Sequence, residues 1–75
     1  MTTLVEITGR DSYLTAKALF YAIAYIQELP PEKQAHSDLL DMCEIAKTLP
    51  HDAIAQFKEE VFAQTGNVVI LDPAP

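Results

Sequence analysis

The chain contains a run of nine consecutive apolar or aromatic residues, from Ala18 to Ile26. The run lies inside a segment whose pattern predicts a helix from about Ser12 to Glu28. At a rise of 1.5 Å per residue the run spans about 14 Å, less than half of a ~30 Å bilayer core, so it does not predict a membrane span. A helix that is apolar nearly all round must be buried nearly all round. Because 75 residues offer little chain for that burial, we expect a second protein surface to supply the missing cover.

The length of the chain limits how it can be stabilised. Residues 1–75 are expected to form a single small domain, and a core of this size supplies only about 3–5 kcal/mol. The single cysteine, Cys43, excludes an internal disulfide and fits a reduced, cytoplasmic protein. The sequence contains no cluster of cysteine and histidine residues that would predict a zinc site, and no cofactor is expected. Self-association, or unusually good packing, is therefore the expected source of additional stability.

The charge disfavours two classes of partner. Eleven acidic residues against five basic ones give a formal charge of −6. The basic residues are scattered singly along the chain, at Arg10, Lys17, Lys33, Lys47 and Lys58. Nucleic acids and anionic membrane surfaces are bound by basic stripes, so neither is an expected partner. The first residues carry no basic segment and no long apolar run, so no signal peptide is expected and the cytoplasm is the expected compartment.

Three segments of the chain have the pattern of helices. Proline in the first helical turn marks the start of the second and third helices, at Pro31 and Pro50. Gly66 is a suitable residue to end the third helix. The predicted helices cover residues 12–28, 31–48 and 50–65.

The two ends of the chain predict short extended segments. The segment Thr2–Thr8 is rich in β-branched residues, which predicts a strand over about residues 3–8. Residues 67–72 predict a second strand or an extended arm. The expected fold is mainly α, in the order β-α-α-α-β. We expect a three-helix antiparallel bundle, or a helical hairpin plus a third helix, flanked by two short terminal strands or extended arms.

Helical periodicity predicts which side chains face the core. In the first helix the predicted core face is Leu19, Ala22, Ile23, Ile26 and Leu29. In the second helix it is Ala35, Leu39, Met42, Ala46 and Leu49, widened by Leu40, Cys43 and Ile45. In the third helix it is Ile54, Phe57 and Val61, with Phe62 as a further candidate.

The first helix carries a second apolar face beside the predicted core face. Tyrosine combines a large apolar ring with a hydroxyl group, so it favours interfaces over deep cores. This face predicts a contact with a partner or the lining of a ligand pocket. The alternative is that the rings pack under the terminal strands of the same chain. The candidate interface residues are Tyr13, Leu14, Ala18, Phe20, Tyr21 and Tyr25.

Chemical groups that could act in catalysis are few. His36 and Cys43 lie seven residues apart in the second predicted helix, which separates them by about 10.5 Å along its axis. That spacing is too long for a nucleophile and its base, so no catalytic residue is predicted. No histidine accompanies the helical carboxylates at the spacing of a metal site. Asp38, Asp41 and Glu44 are instead expected to form a solvated face of the second helix, with Glu44 helped by Lys47. The alternative is that adjacent members of this set share a cation with Glu59 or Glu60.

These patterns favour a small, non-enzymatic, cytoplasmic protein that forms a homodimer and acts as an interaction, accessory or regulatory module. One alternative is an acidic inhibitor, similar to an antitoxin, that covers a basic surface of another protein. A third hypothesis is small-ligand binding in a pocket between subunits, for which the plausible lining residues are Tyr13, Tyr25, His36 and Cys43.

Overall fold

The apolar run lies in the first helix, α1, which spans Gly9–Glu28 in the computed structural model of the chain. The structure describes residues 9–72, so the strand predicted over residues 3–8 lies outside the described residues. Two consecutive prolines after Leu29 prevent α1 from continuing. The side-chain amide of Gln34 donates a hydrogen bond to the carbonyl oxygen of Leu29 at 2.9 Å. This bond satisfies one of the carbonyl groups that the end of a helix leaves without a partner.

The second helix, α2, spans His36–Ala46, so its predicted start at residue 31 is wrong by five residues. The residues Pro31–Lys33 form a single turn of 3-10 helix instead. Gln34 then adopts an extended backbone conformation, with φ −80° and ψ 128°, which separates that turn from α2. In this position the side chain of Gln34 reaches the end of α1.

The third helix, α3, spans His51–Thr65, close to the prediction. Pro50 precedes its first residue, and Asp52 lies in the first turn, near the positive end of the helix dipole. Gly66 ends the helix in the left-handed conformation, with φ 78°, which favours glycine. Its backbone N–H donates to the carbonyl oxygen of Phe62 at 2.8 Å, as is usual at helix ends.

The central element of the fold is α1, which packs against both α2 and α3, whereas contact between α2 and α3 is slight by comparison. The buried core is contributed by all three helices, the α2–α3 connection and the C-terminal segment. Its members are Ala16, Phe20, Ile23, Ala24, Leu39, Cys43, Ala46, Leu49, Phe57, Val61, Val69 and Leu71.

The buried face of α1 differs from the predicted one. Ile23 is fully buried, as expected, but Leu19 and Ile26 are only partly buried. The face centres instead on Phe20, whose ring packs against Phe57 with centroids 5.3 Å apart. Because α1 is apolar on nearly every side, its periodicity did not single out one face. Packing against two other helices buries the face that carries Phe20.

The segment 67–72 is an arm without strand hydrogen bonding, and the described residues contain no strand. Val69 and Leu71 are buried whereas Val68 and Ile70 are exposed, which is the alternation of an extended chain. We refer to residues 67–72 as the arm. The arm contacts α1 through Gln27 and α2 through Cys43. Because α2 and α3 make little contact with each other, they leave part of the core open, and the arm completes it.

Candidate interaction surface

Two of the six predicted interface residues belong to the core of the monomer. Phe20 has no exposed surface. Tyr13 is partly buried, and its ring packs against Phe57 with centroids 5.6 Å apart. Both rings pack against Phe57 of α3. Phe20 therefore offers no surface to a partner, which corrects its place in the predicted face.

The other four predicted residues form one continuous face, the outer α1 face, defined as Leu14, Ala18, Tyr21 and Tyr25. Leu14, Ala18 and Tyr25 are exposed, and Tyr21 is partly buried against the edge of the core. These positions lie on the side of the helix opposite Phe20 and Ile23.

Tyr25 is the most exposed large apolar side chain of this structure, at 66%. Within residues 9–72 its ring and hydroxyl group have no stacking or hydrogen-bonding partner. Leu14, three helical turns away, is 43% exposed. The outer α1 face thus combines apolar area with a hydroxyl group that has no partner among the described residues.

A second apolar surface lies between α3 and the arm. It is a shallow groove of about 540 Å³, lined by Ala55, Lys58, Glu59, Phe62, Val68 and Val69. The ring of Phe62 is 54% exposed here, although the sequence pattern made it a candidate for the core. The sequence did not indicate this groove, because one of its walls exists only when the arm folds back along α3.

The acidic side chains lie in three different environments: exposed on α2, in an ion pair with α1, and at the groove. Asp38, Asp41 and Glu44 are exposed on α2. Glu60 instead forms an ion pair with Lys17 of α1, and this hydrogen bond raises the pKa of Lys17. Glu59 lines the groove. The acidic residues of α2 are therefore exposed, as expected, whereas Glu60 is held in an ion pair with α1.

Lys47 connects α2 to the arm. Its Nζ lies 2.6 Å from Oδ1 of Asp72 and 3.1 Å from Oε2 of Glu44. The hydrogen bonds that Lys47 donates to these two carboxylates raise its pKa. Two of the five basic residues of the chain, Lys17 and Lys47, are thus already paired with acids.

The residues proposed for a ligand pocket do not line the groove. Cys43 is buried in the core, and its thiol donates to the carbonyl oxygen of Ile70 at 3.7 Å. Burial raises the pKa of this thiol, which disfavours the reactive thiolate. His36 is exposed at the first residue of α2, and Tyr25 is exposed on the outer α1 face. The groove includes none of these side chains and not Tyr13 either.

Two further properties of the described residues bear on function. Between Gly9 and Asp72, no three histidine, cysteine, aspartate or glutamate side chains are grouped so that they could hold a metal ion. In the same range, no helix has both the length and the apolar character needed to cross a bilayer.

Comparison of this chain with protein families, curated proteins and solved structures finds no match.

Proposed function

We propose that this chain is a small, non-enzymatic interaction module, acting in the cytoplasm, that forms a homodimer through the outer α1 face. The observation that carries the proposal is the exposure of Tyr25 on the same helical face as Leu14. Aromatic residues are enriched at protein interfaces, where the ring is covered and the hydroxyl group finds a polar partner.

The monomer covers only one side of its most apolar helix. Phe20 and Ile23 of α1 are fully buried inside the chain. On the opposite side, three of the four residues of the outer α1 face, Leu14, Ala18 and Tyr25, are left exposed by the described residues. The chain thus supplies part of the cover of α1 itself and leaves one defined face for a partner.

Two exposed alanines provide the test substitution and the matched control substitution for an experiment on self-association. Ala18 lies at the middle of the outer α1 face, and Ala63 is an exposed alanine on α3. Ala18→Glu and Ala63→Glu change the net charge equally, but only the first places a carboxylate in the proposed contact. Light scattering after size exclusion at low micromolar concentration is expected to give twice the 8.3 kDa chain mass for the wild type and for Ala63→Glu.

Ala18→Glu is expected to give the mass of one chain with unchanged helical circular dichroism. If the wild type is a cooperatively folded monomer at that concentration, the homodimer proposal is wrong. If both variants remain dimeric, the chain dimerises through another surface.

The exposed acids of α2 favour a second candidate function, an acidic inhibitor that covers a basic surface of another protein. Asp38, Asp41 and Glu44 are all exposed on this helix. Attraction between complementary charges speeds the encounter of two proteins, and added salt weakens this attraction. A neutralised variant, Asp38→Asn with Asp41→Asn, should then lose binding to a basic partner protein while keeping its oligomeric state. Ala18→Glu should do the opposite, which separates the two candidate functions.

A further inference from the structure

We propose that two copies of α1 pair in antiparallel orientation, about a two-fold axis level with the bond between Leu19 and Phe20. This inference rests on the homodimer proposed above and specifies how the two copies meet. Four features support it: the spacing of the exposed residues, their sizes, the directions of the helix dipoles and the position of the core.

The outer α1 face has the spacing of a coiled-coil seam. Its residues recur alternately three and four positions apart, which is the heptad period that keeps one stripe of a helix against a partner helix. The apolar centre of the seam is Leu14, Ala18, Tyr21 and Tyr25, and acidic residues extend it at each end. The full series is Asp11, Leu14, Ala18, Tyr21, Tyr25 and Glu28.

The seam is symmetric in position but not in side-chain size. Ala18 and Tyr21 lie equally far from the midpoint between residues 19 and 20, and so do Leu14 and Tyr25. An antiparallel pair about that midpoint therefore places Ala18 against the partner's Tyr21, and Leu14 against the partner's Tyr25. Each layer combines a larger side chain with a smaller one, which fills the space between helices evenly.

A parallel pair would combine the same residues less well. It would place Ala18 against the partner's Ala18 and Tyr21 against the partner's Tyr21. One layer would then leave a gap and the next would crowd two rings. Gaps and crowding both cost packing energy, so the size pattern favours the antiparallel orientation.

The helix dipoles favour the same orientation, because antiparallel helices oppose their dipoles. The charges at the helix ends favour neither orientation, because the antiparallel pair places Glu28 level with the partner's Asp11 and a parallel pair places Glu28 against the partner's Glu28. Arg10 is exposed next to Asp11, and its guanidinium carbon lies 5.7 Å from the centre of its own Tyr13 ring.

The remainder of the fold leaves room for this contact. Phe20 and Ile23 lie in the core on the opposite side of α1, where α2, α3 and the arm pack. Tyr21, at the edge of the core, is the one seam residue that also packs within its own chain. This contact orients its ring before association.

Cross-linking between single cysteines tests the orientation. In a Cys43→Ala background, Leu14→Cys and Tyr25→Cys are prepared as separate proteins of distinguishable mass and treated with a short bifunctional maleimide. The antiparallel pair puts position 14 beside the partner's position 25. It holds the two copies of position 14 about 16 Å apart along the axis, at 1.5 Å per residue, and the two copies of position 25 equally far apart.

The expected result is a cross-linked product in the mixture of the two variants and little in either variant alone. The heterodimer keeps one of its two Leu14–Tyr25 layers intact, so it remains able to form. Light scattering of each sample before cross-linking gives its oligomeric state, and the Cys43→Ala protein alone measures background reaction.

Products from each variant alone would show a parallel pair and overturn the proposed orientation while leaving the homodimer intact. Dimers by light scattering without a product in any sample would place the contact on another face, which overturns both the orientation and the use of the outer α1 face. Monomers of the Cys43→Ala background at every concentration would refute the homodimer itself.

Discussion

The side-chain amide of Gln27 forms two hydrogen bonds with the backbone of Ile70. Nε2 donates to the carbonyl oxygen at 2.7 Å, and Oε1 accepts from the backbone N–H at 3.1 Å. The glutamine thus occupies the position that a neighbouring strand would have in a sheet. It attaches the arm to the end of α1, and the buried Val69 and Leu71 lie on either side of this attachment.

Gln27→Ala should therefore loosen the arm. A typical net contribution is about 1 kcal/mol per hydrogen bond, so we expect the free energy of unfolding to fall by about 1–2 kcal/mol. Gln56→Ala removes an exposed glutamine from α3 and serves as the control, with an expected change within about 0.5 kcal/mol. Urea denaturation followed by circular dichroism measures both. Equal effects of the two substitutions would show that the attachment contributes nothing.

Phe20 and Tyr25 should respond in opposite ways to truncation. Phe20→Ala removes a fully buried ring and should lower the free energy of unfolding by about 3–5 kcal/mol, enough to unfold a domain of this size. Tyr25→Ala removes an exposed ring and should leave the monomer folded. It should weaken dimerisation by about 2 kcal/mol, or roughly thirtyfold in the dissociation constant.

Circular dichroism at high concentration and sedimentation over a dilution series separate these two effects. If Tyr25→Ala instead unfolds the chain at every concentration, the ring stabilises the monomer and the outer α1 face is not the contact.

The burial of Cys43 should make stability fall at alkaline pH. Burial raises the pKa of the thiol, so the folded chain keeps a proton that the unfolded chain loses above about pH 8.5. The unfolded state then binds fewer protons, and the free energy of unfolding decreases as pH rises. Below that pH both states are protonated and this contribution stays constant.

Urea denaturation at pH 7 and at pH 9.5 tests this expectation. The upper value stays below the range in which Lys17 and Lys47 titrate, since hydrogen bonds to carboxylates raise the pKa of both. Cys43→Ala should reduce the difference between the two pH values, whatever it does to stability at pH 7. An unchanged difference would assign the alkaline effect to other groups.

Binding to nucleic acid should be absent. Lys17 pairs with Glu60, and Lys47 with Glu44 and Asp72, so two of the five cations have no free charge to offer a phosphate. We expect no mobility shift of a short duplex or a single strand at ~50 mM salt, where electrostatic attraction is strong. A saturable shift that weakens steeply with added salt would contradict this expectation.

The sequence predicted the number and order of the helices and the end of α3 well. These features depend on local signals, such as Pro50 before α3 and Gly66 after it. The start of α2 was missed, because a proline is acceptable in the first turn of either kind of helix. Only the fold shows that Gln34 leaves the helix to bind the end of α1.

The candidate surface was predicted in part. Periodicity placed Leu14, Ala18, Tyr21 and Tyr25 together, and three of these are exposed. It could not decide that Phe20 faces inward, since polar residues mark no clear outer side on α1. The hydrogen bonds between Gln27 and Ile70 join residues 43 positions apart, and neither segment has a periodic pattern that would predict them.

The arm also determines when the chain can finish folding. A ribosome completes α1, α2 and α3 before it adds Val69 and Leu71, so the helices emerge with two of their core side chains still missing. Their local contacts form early, whereas attaching the arm closes a long loop that carries an entropic cost. Until residues 67–72 have been released, the nascent chain exposes the apolar surface that the arm later covers.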